Sequence, residues 1–170
     1  MIMIRQFLLL LLSACLLAAC QTVQPPQHQA GFTPRQVAML KQQGFEPEGS
    51  GWQFGLADRL LFATDQDTLI PAQKEVISHI ASALVGVDIR GAKVEGHTDS
   101  TGSVAYNEAL SKARAQAVAD QLVAGGMAAP AMQVVGMGAS MPIESNDSAA
   151  GRRENRRVVI VVSPADAGEP

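Results

Sequence analysis

The residues best placed to do chemistry in this 170-residue chain are Asp99 and Arg114. Leu110, Arg114, Val118 and Leu122 are spaced by four, so Arg114 interrupts an aliphatic row along one side of a predicted helix. A charge in a row that faces the core needs a partner, because desolvating it alone is costly. Asp99 precedes the helix and lies within plausible reach of Arg114.

Two interpretations of this pair remain open from spacing alone. In the first, Asp99 and Arg114 form a structural ion pair. In the second, they line a cleft in which the carboxylate binds an ammonium group and the guanidinium binds a carboxylate. Such a site suits a zwitterion, and each charge-assisted bond contributes about 1.5–3 kcal/mol.

Metal and catalytic chemistry are poorly supported around this pair. Glu95, His97 and Asp99 alternate on one strand face, but no second cluster of ligands accompanies them, so we expect no metal site. Ser100 or Ser103 with His97 lacks the pattern of a nucleophile elbow. We therefore expect a binding protein with no cofactor rather than an enzyme.

The basic residues near the carboxyl end do not indicate nucleic-acid binding. The net charge of the whole chain is −3, and a negatively charged protein is not expected to bind the negatively charged backbone of nucleic acid. We expect some of these arginines to pair with carboxylates and Arg156 to lie on the rim of the cleft. The cluster comprises Arg152, Arg153, Arg156 and Arg157.

The elements that must position these residues alternate between strands and helices. Because the helices cross between strands, we predict an α/β fold in which helices pack on a sheet with parallel pairs. The pattern predicts helices over 71–86 and 104–124, strands near 52–62, 92–97, 132–136 and 158–162, and an extended loop over 138–151.

The first twenty residues are unlike the rest, since 17 of them are apolar. The apolar core, Phe7 to Ala19, is too short to span a membrane and has the length of a signal-peptide core. Leu17-Ala18-Ala19-Cys20 resembles a bacterial lipobox, which implies cleavage before Cys20, acylation of Cys20 and, with Gln21 following, anchoring in outer-membrane lipid. Because no cysteine follows Cys20, a disulfide scaffold is excluded.

A short segment separates this signal from the main domain. Residues 20–33 are rich in Gln and Pro and predict a linker, of which residues 21–33 can span at most ~45 Å. Thr33-Pro34 then predicts the start of a helix of about ten residues that ends at Gly44. We divide the chain into the signal 1–19, linker 20–33, helix and strand segment 34–54, main domain 55–163 and tail 164–170.

The main domain resembles the OmpA C-terminal-like family through many residues at fixed spacings. They are Gly96-His97-Thr98-Asp99, Gly102, Asn107, Leu110-Ser111, Arg114-Ala115, Val118, Gly136, Gly138, Pro142, Asn146, Gly151-Arg152 and Asn155-Arg156-Arg157-Val158. The resemblance implies an α+β sandwich of βαβαβ–β order with a mixed four-stranded sheet, and non-covalent binding to the diaminopimelate of peptidoglycan.

Residue roles follow from the resemblance by position. Asp99 would hold the diaminopimelate ammonium and Arg114 its carboxylate, assisted by Thr101, Asn107 and Arg156. One position departs from the family: Ala63 stands where many members have an aspartate after the residue matching Phe62.

Other segments resemble the YfiB lipoproteins, a group within this family: 40–45, 51–55 and 87–89. That likeness implies a periplasmic role in which the lipoprotein sequesters a small repressor, YfiR, at the outer membrane and so activates a diguanylate cyclase, raising cyclic di-GMP and favouring biofilm growth. The alternative likeness is to Pal, a structural tether between outer membrane and wall. The sequence leaves open whether the protein is a homodimer.

Leu40, Phe45 and Trp52 are the candidate partner-binding residues. They look exposed beside a marginal helix. Our hypothesis is that this segment packs back on the domain, and that its release lengthens the tether and exposes a partner surface.

Overall fold

A computed structural model describes residues 31–55, 62 and 65–168 of the chain. The α-helices in this part are α1 (Pro34–Gln43), α2 (Pro71–Val85), α3 (Val104–Ala124) and α4 (Ala149–Asn155), and two short 3-10 helices lie at Ala129–Ala131 and Pro164–Asp166. The strands are β1 (Glu46–Glu48), β2 (Gly51–Gly55), β3 (Ala92–Gly96), β4 (Met132–Gly136) and β5 (Val158–Val162).

The sheet has the order β1-β2-β5-β3-β4. All neighbouring pairs are antiparallel except β3 and β4, which are parallel. The five consecutive aliphatic residues of β5 place it at the centre, where four of its five residues are buried. The mixed sheet with helices packed on it confirms the predicted fold class.

The structure adds one strand and one α-helix to the prediction. We expected four strands and found five within the described residues, because Glu46–Glu48 pairs with β2 through a tight turn at Gly49, whose φ is 56°. All three residues of β1 are exposed, so no apolar alternation marks the strand. Helix α4 lies where we expected the loop to continue. It is seven residues long, and the Ser148 hydroxyl caps it by accepting from Gly151 N–H.

Helix α1 begins and ends where the sequence predicted. Thr33 caps its start through a capping box with Gln36, and Gly44 ends it in the left-handed conformation at φ 87°. Two side chains of the first turn attach α1 to the end of α2. Arg35 donates to the Gly86 carbonyl at 3.0 Å, and Gln36 donates to the Val87 carbonyl at 3.0 Å.

The apolar residues of the segment 34–54 are part of the main core. Leu40 is fully buried, Phe45 is 3% exposed and Trp52 is 8% exposed, and the rings of Phe45 and Phe54 lie 5.2 Å apart. The expectation that these three side chains are exposed to solvent is therefore wrong for this conformation. Their burial follows from the pairing of β2 with β5, which makes the segment one edge of the common sheet.

Glycines at the ends of β3 and β4 let α3 lie directly against the sheet. A Cβ at Gly96 would collide with the backbone carbonyl of Ser111, and one at Gly136 would lie 2.7 Å from the Glu108 carbonyl. The Ser111 hydroxyl completes the contact by accepting from Gly138 N–H at 3.0 Å. This close approach fixes the amino-terminal half of α3 beside the loop that carries Asp99.

The signal, most of the linker with Cys20, residues 56–61 of the first predicted strand, and Ala63 lie outside the described residues. Among the helices that the structure describes, none is long and apolar enough to cross a membrane.

Candidate functional site

Asp99 lies in the loop that leaves β3 and enters α3. The loop ends at Ser103, whose hydroxyl caps α3 by accepting from Tyr106 N–H at 3.2 Å. The Asp99 side chain turns back on its own loop, because Thr101 N–H donates to its Oδ1 at 2.9 Å. Asn107, which is buried in the first turns of α3, donates from Nδ2 to the Asp99 carbonyl at 3.4 Å.

The ion pair of Asp99 is with Arg156, not with Arg114. Arg156 Nη1 lies 2.8 Å from Asp99 Oδ2, and both side chains are largely buried. Burial works to raise the pKa of the Asp99 carboxyl, but the bonds from Arg156 and Thr101 outweigh it and hold the pKa below its usual value. Asp99 is therefore a fixed carboxylate at neutral pH.

Arg114 is fully buried on the face of α3 that meets the core. Its Nε donates to the Gln66 carbonyl at 2.8 Å, and its guanidinium lies 5.2 Å from the centre of the Phe62 ring. Desolvation lowers the pKa of Arg114, Arg156 lowers it further, and Asp99 raises it. An arginine remains protonated even so. The site thus holds two guanidinium groups around one carboxylate.

The segment that includes Phe62, Asp65 and Gln66 contributes contacts that sequence reasoning missed. Tyr106 donates its hydroxyl to Asp65 Oδ1 at 3.0 Å, and Arg156 Nε donates to the Phe62 carbonyl at 3.4 Å. Two acceptors in this segment, the carbonyls of Phe62 and Gln66, belong to the backbone. The residue types at these positions therefore give no indication of the contacts.

His97 is buried in the core. It is 2% exposed, and its Nε2 lies 4.0 Å from Glu95. No group of three metal-binding side chains occurs among the residues that the structure describes. The strand ends at Gly96, so the alternation that would align Glu95, His97 and Asp99 stops before Asp99.

The loop between β4 and α4 forms a second wall of the site. Asn146 accepts at its Oδ1 from Ser100 N–H at 3.1 Å, directly after Asp99 in the chain. Asn155, fully buried at the end of α4, donates to the same oxygen at 3.0 Å. Both asparagines belong to the family pattern. They are nine residues apart, and this spacing matches no helix or strand repeat that would predict their contact.

Arg114 and Asp99 thus lie in one site, with Arg156, Asn107 and Thr101 around them. Of the five residues expected to bind ligand, Arg156 and Asn107 contact Asp99 itself. Thr101 meets it through its backbone amide. The ion pair expected between Asp99 and Arg114 is therefore wrong, because Asp99 pairs with Arg156 while Arg114 Nε donates to the Gln66 carbonyl. The ligand-binding interpretation of Asp99 and Arg114 stays a prediction.

Known proteins are similar to this chain in sequence and in fold. The model of the OmpA family matches residues 61–156. The outer-membrane lipoprotein YfiB of Pseudomonas aeruginosa is 45% identical over 150 residues, which are 88% of this chain and 87% of that protein.

Two solved structures are similar in fold and sequence. The cell wall anchor of the type VI secretion system of Pseudomonas aeruginosa has a TM-score of 0.64 and 31% identity, covering 76% of this chain and 97% of that one. The peptidoglycan-associated lipoprotein of Burkholderia pseudomallei has a TM-score of 0.57 and 27% identity, covering 61% and 88%.

Proposed function

Because this chain belongs to the OmpA family, we propose that it is an outer-membrane lipoprotein that binds peptidoglycan non-covalently through the diaminopimelate of the stem peptide. Two kinds of evidence support this. Relatives and structural neighbours are named as outer-membrane, peptidoglycan-associated or wall-anchoring proteins. The site also offers a fixed carboxylate beside two guanidinium groups.

The observation that carries the proposal is the charge arrangement around Asp99. The free end of diaminopimelate bears an ammonium and a carboxylate on one carbon. Asp99 accepts the ammonium, and Arg114 receives the carboxylate in place of the Gln66 carbonyl that it now holds. Since Arg114 is desolvated, its bond to a charged carboxylate is stronger than the same bond would be in water.

The other site residues serve mainly to hold Asp99 in place. Arg156 keeps the carboxylate ionised, and Asn107 and Thr101 fix its loop. Preorganisation of this kind improves affinity because the site loses little freedom when ligand binds.

Wall binding is tested by sedimentation with purified sacculi. We expect Asp99→Asn and Arg114→Lys to lose most of the bound protein, while Asp120→Asn and Arg153→Lys retain it. The control residues lie on α3 and α4, but their side chains take no part in the site described above. If all variants melt at the temperature of the wild type and sediment with the sacculi to the same extent, the proposal is contradicted.

We further propose that the lipoprotein sequesters a YfiR-like periplasmic repressor and thereby activates a diguanylate cyclase. Support comes from the 45% identity to YfiB, which extends beyond the OmpA-family region to most of the chain. The segment with Leu40, Phe45 and Trp52 would form the partner surface after it leaves the core, while Cys20 anchors the chain in the outer membrane. A Pal-like tether is the alternative, favoured by the likeness to the peptidoglycan-associated lipoprotein.

Co-purification separates sensor from tether. Arg35→Ala with Gln36→Glu removes both side-chain bonds from α1 to the end of α2, keeps an oxygen at position 36 for the capping box and alters no apolar residue. If release exposes the partner surface, this double variant captures more repressor than the wild type. The idea fails if substituting Leu40, Phe45 and Trp52 changes neither repressor capture nor wall attachment.

A further inference from the structure

The backbone that follows Asp99 is held by a side chain from a different part of the fold. Ser100 N–H donates to Asn146 Oδ1 at 3.1 Å, across 46 residues of sequence. Asn146 lies in the irregular stretch between β4 and α4. Only the start of this stretch is tied to the sheet, since Met137 N–H donates to the Gly96 carbonyl at 2.9 Å and Thr98 N–H donates to the Gly138 carbonyl at 2.9 Å. Such a stretch positions a ligand site only if something fixes it in turn.

Asn155 supplies that fixation from a fully buried position. Its Oδ1 accepts from Ile143 N–H at 2.9 Å and from Glu144 N–H at 3.0 Å. Its Nδ2 donates to the Glu144 carbonyl at 2.8 Å and to Asn146 Oδ1 at 3.0 Å. All four hydrogen bonds of this amide are made, which is the condition under which a buried polar group orders its surroundings.

Arg152 provides a second hold on the same residue. Its Nη1 donates to the Asn146 carbonyl at 2.7 Å and to the Asp147 carbonyl at 3.2 Å. Asn146 is thus fixed through its backbone by Arg152 and through its side chain by Asn155. Its remaining function in the structure is to present one oxygen to the Ser100 amide.

We propose that Asn155 and Asn146 form a positioning relay for the ligand site, running from Asn155 through Asn146 Oδ1 to the Ser100 amide and so to Asp99. Neither asparagine touches the ligand in this account. They keep the Asp99 loop in the conformation that receives an ammonium, and so set affinity by preorganisation. This inference rests on the proposed function of the Asp99 site.

The relay depends on one acceptor atom, which allows a matched pair of variants. Asn146→Ala removes the oxygen, and Asn146→Asp keeps an oxygen of the same reach. Ser145→Ala is the control, because the Ser145 hydroxyl bonds only to Asp147 among the contacts described, within the loop itself. Asn146 is half-buried in a loop, so we expect each variant to fold.

Two measurements on the detergent-solubilised lipoprotein test the relay. The first is calorimetric binding of a stem peptide that contains diaminopimelate, for which we expect Asn146→Ala to bind about tenfold more weakly. Asn146→Asp and Ser145→Ala should stay within about threefold of the wild type. The second is amide hydrogen exchange at Ser100, which should be slow in the wild type and in Asn146→Asp and fast in Asn146→Ala.

The two measurements separate the relay from the proposed function. If the wild type does not bind the stem peptide, the proposed function fails, and exchange at Ser100 still decides whether the relay exists. If the wild type binds but Asn146→Ala binds equally well, or if Ser100 exchanges equally in both, the relay is refuted. Weak binding by Asn146→Asp, equal to that of Asn146→Ala, would also count against it.

Discussion

Replacing His97 should reduce the acid sensitivity of this protein between pH 7.5 and pH 5. The imidazole is 2% exposed, and its pKa is lowered from 6.5 to about 4, first by burial and second by the charge of Arg157, with Glu95 opposing the change. The folded state therefore keeps His97 neutral at a pH at which an unfolded chain would protonate it.

The change in the free energy of unfolding with pH follows from the linkage between protonation and folding. Because the unfolded chain binds more protons in this window, the free energy of unfolding falls as the pH drops from about 6.5 to about 4. Each pKa unit is worth about 1.4 kcal/mol, so the complete loss is about 3 kcal/mol, and about 2 kcal/mol is lost by pH 5. The depressed pKa of Asp99 acts only below this window, since its stabilisation is lost as the pH falls under its ordinary value of 3.8.

Urea unfolding of the wild type, His97→Gln and His79→Gln at pH 7.5 and pH 5 measures the effect. His79 is exposed on α2 and serves as the matched control. We expect the stability difference between the two pH values to shrink by about 2 kcal/mol in His97→Gln alone. An NMR titration of the wild type provides a second measure, in which the His97 ring should not titrate above pH 5. A midpoint near 6.5, or an unchanged pH difference in His97→Gln, would refute the reasoning.

Three further outcomes follow from the packing and the ion pair. Gly96→Ala should lower the free energy of unfolding by about 1–3 kcal/mol and weaken sacculus binding, because α3 must move; Gly55→Ala, with open space at its Cβ, should do neither. Leu40→Ala should cost about 2–5 kcal/mol in urea unfolding because Leu40 is fully buried, and a cost near zero would show that α1 is not part of the core. Arg156→Gln should raise the Asp99 pKa in an NMR titration, and an unchanged midpoint would contradict the ion pair.

The regular elements were readable from the sequence because their signals are local. Pro71 and Val104 begin their helices as predicted, and the aliphatic run 158–162 lies at the centre of the sheet. Strand β1 and helix α4 were missed for a physical reason. Both are short and lack an apolar face, so they form through pairing and capping in the folded protein rather than through a pattern of their own.

The residues of the site could also be predicted from the sequence, but the ion pair between Asp99 and Arg156 could not. Arg114 stood out as a charge in an aliphatic row, and the structure indeed buries it. The sequence pointed to Asp99 as its neighbour, whereas Asp99 pairs with Arg156, 57 residues later. That contact depends on how β5 lies beside β3, which spacing along the chain does not encode.

The central claim is that Asp99 and Arg114 together bind the ammonium and the carboxylate of diaminopimelate. A calorimetric comparison of two stem peptides, identical except for diaminopimelate or lysine at the third position, tests it directly, because lysine lacks the carboxylate that Arg114 would receive. We expect the lysine peptide to bind roughly 10- to 150-fold more weakly, the equivalent of one charge-assisted bond. Equal affinity for both peptides, or no binding of the diaminopimelate peptide, would contradict the account.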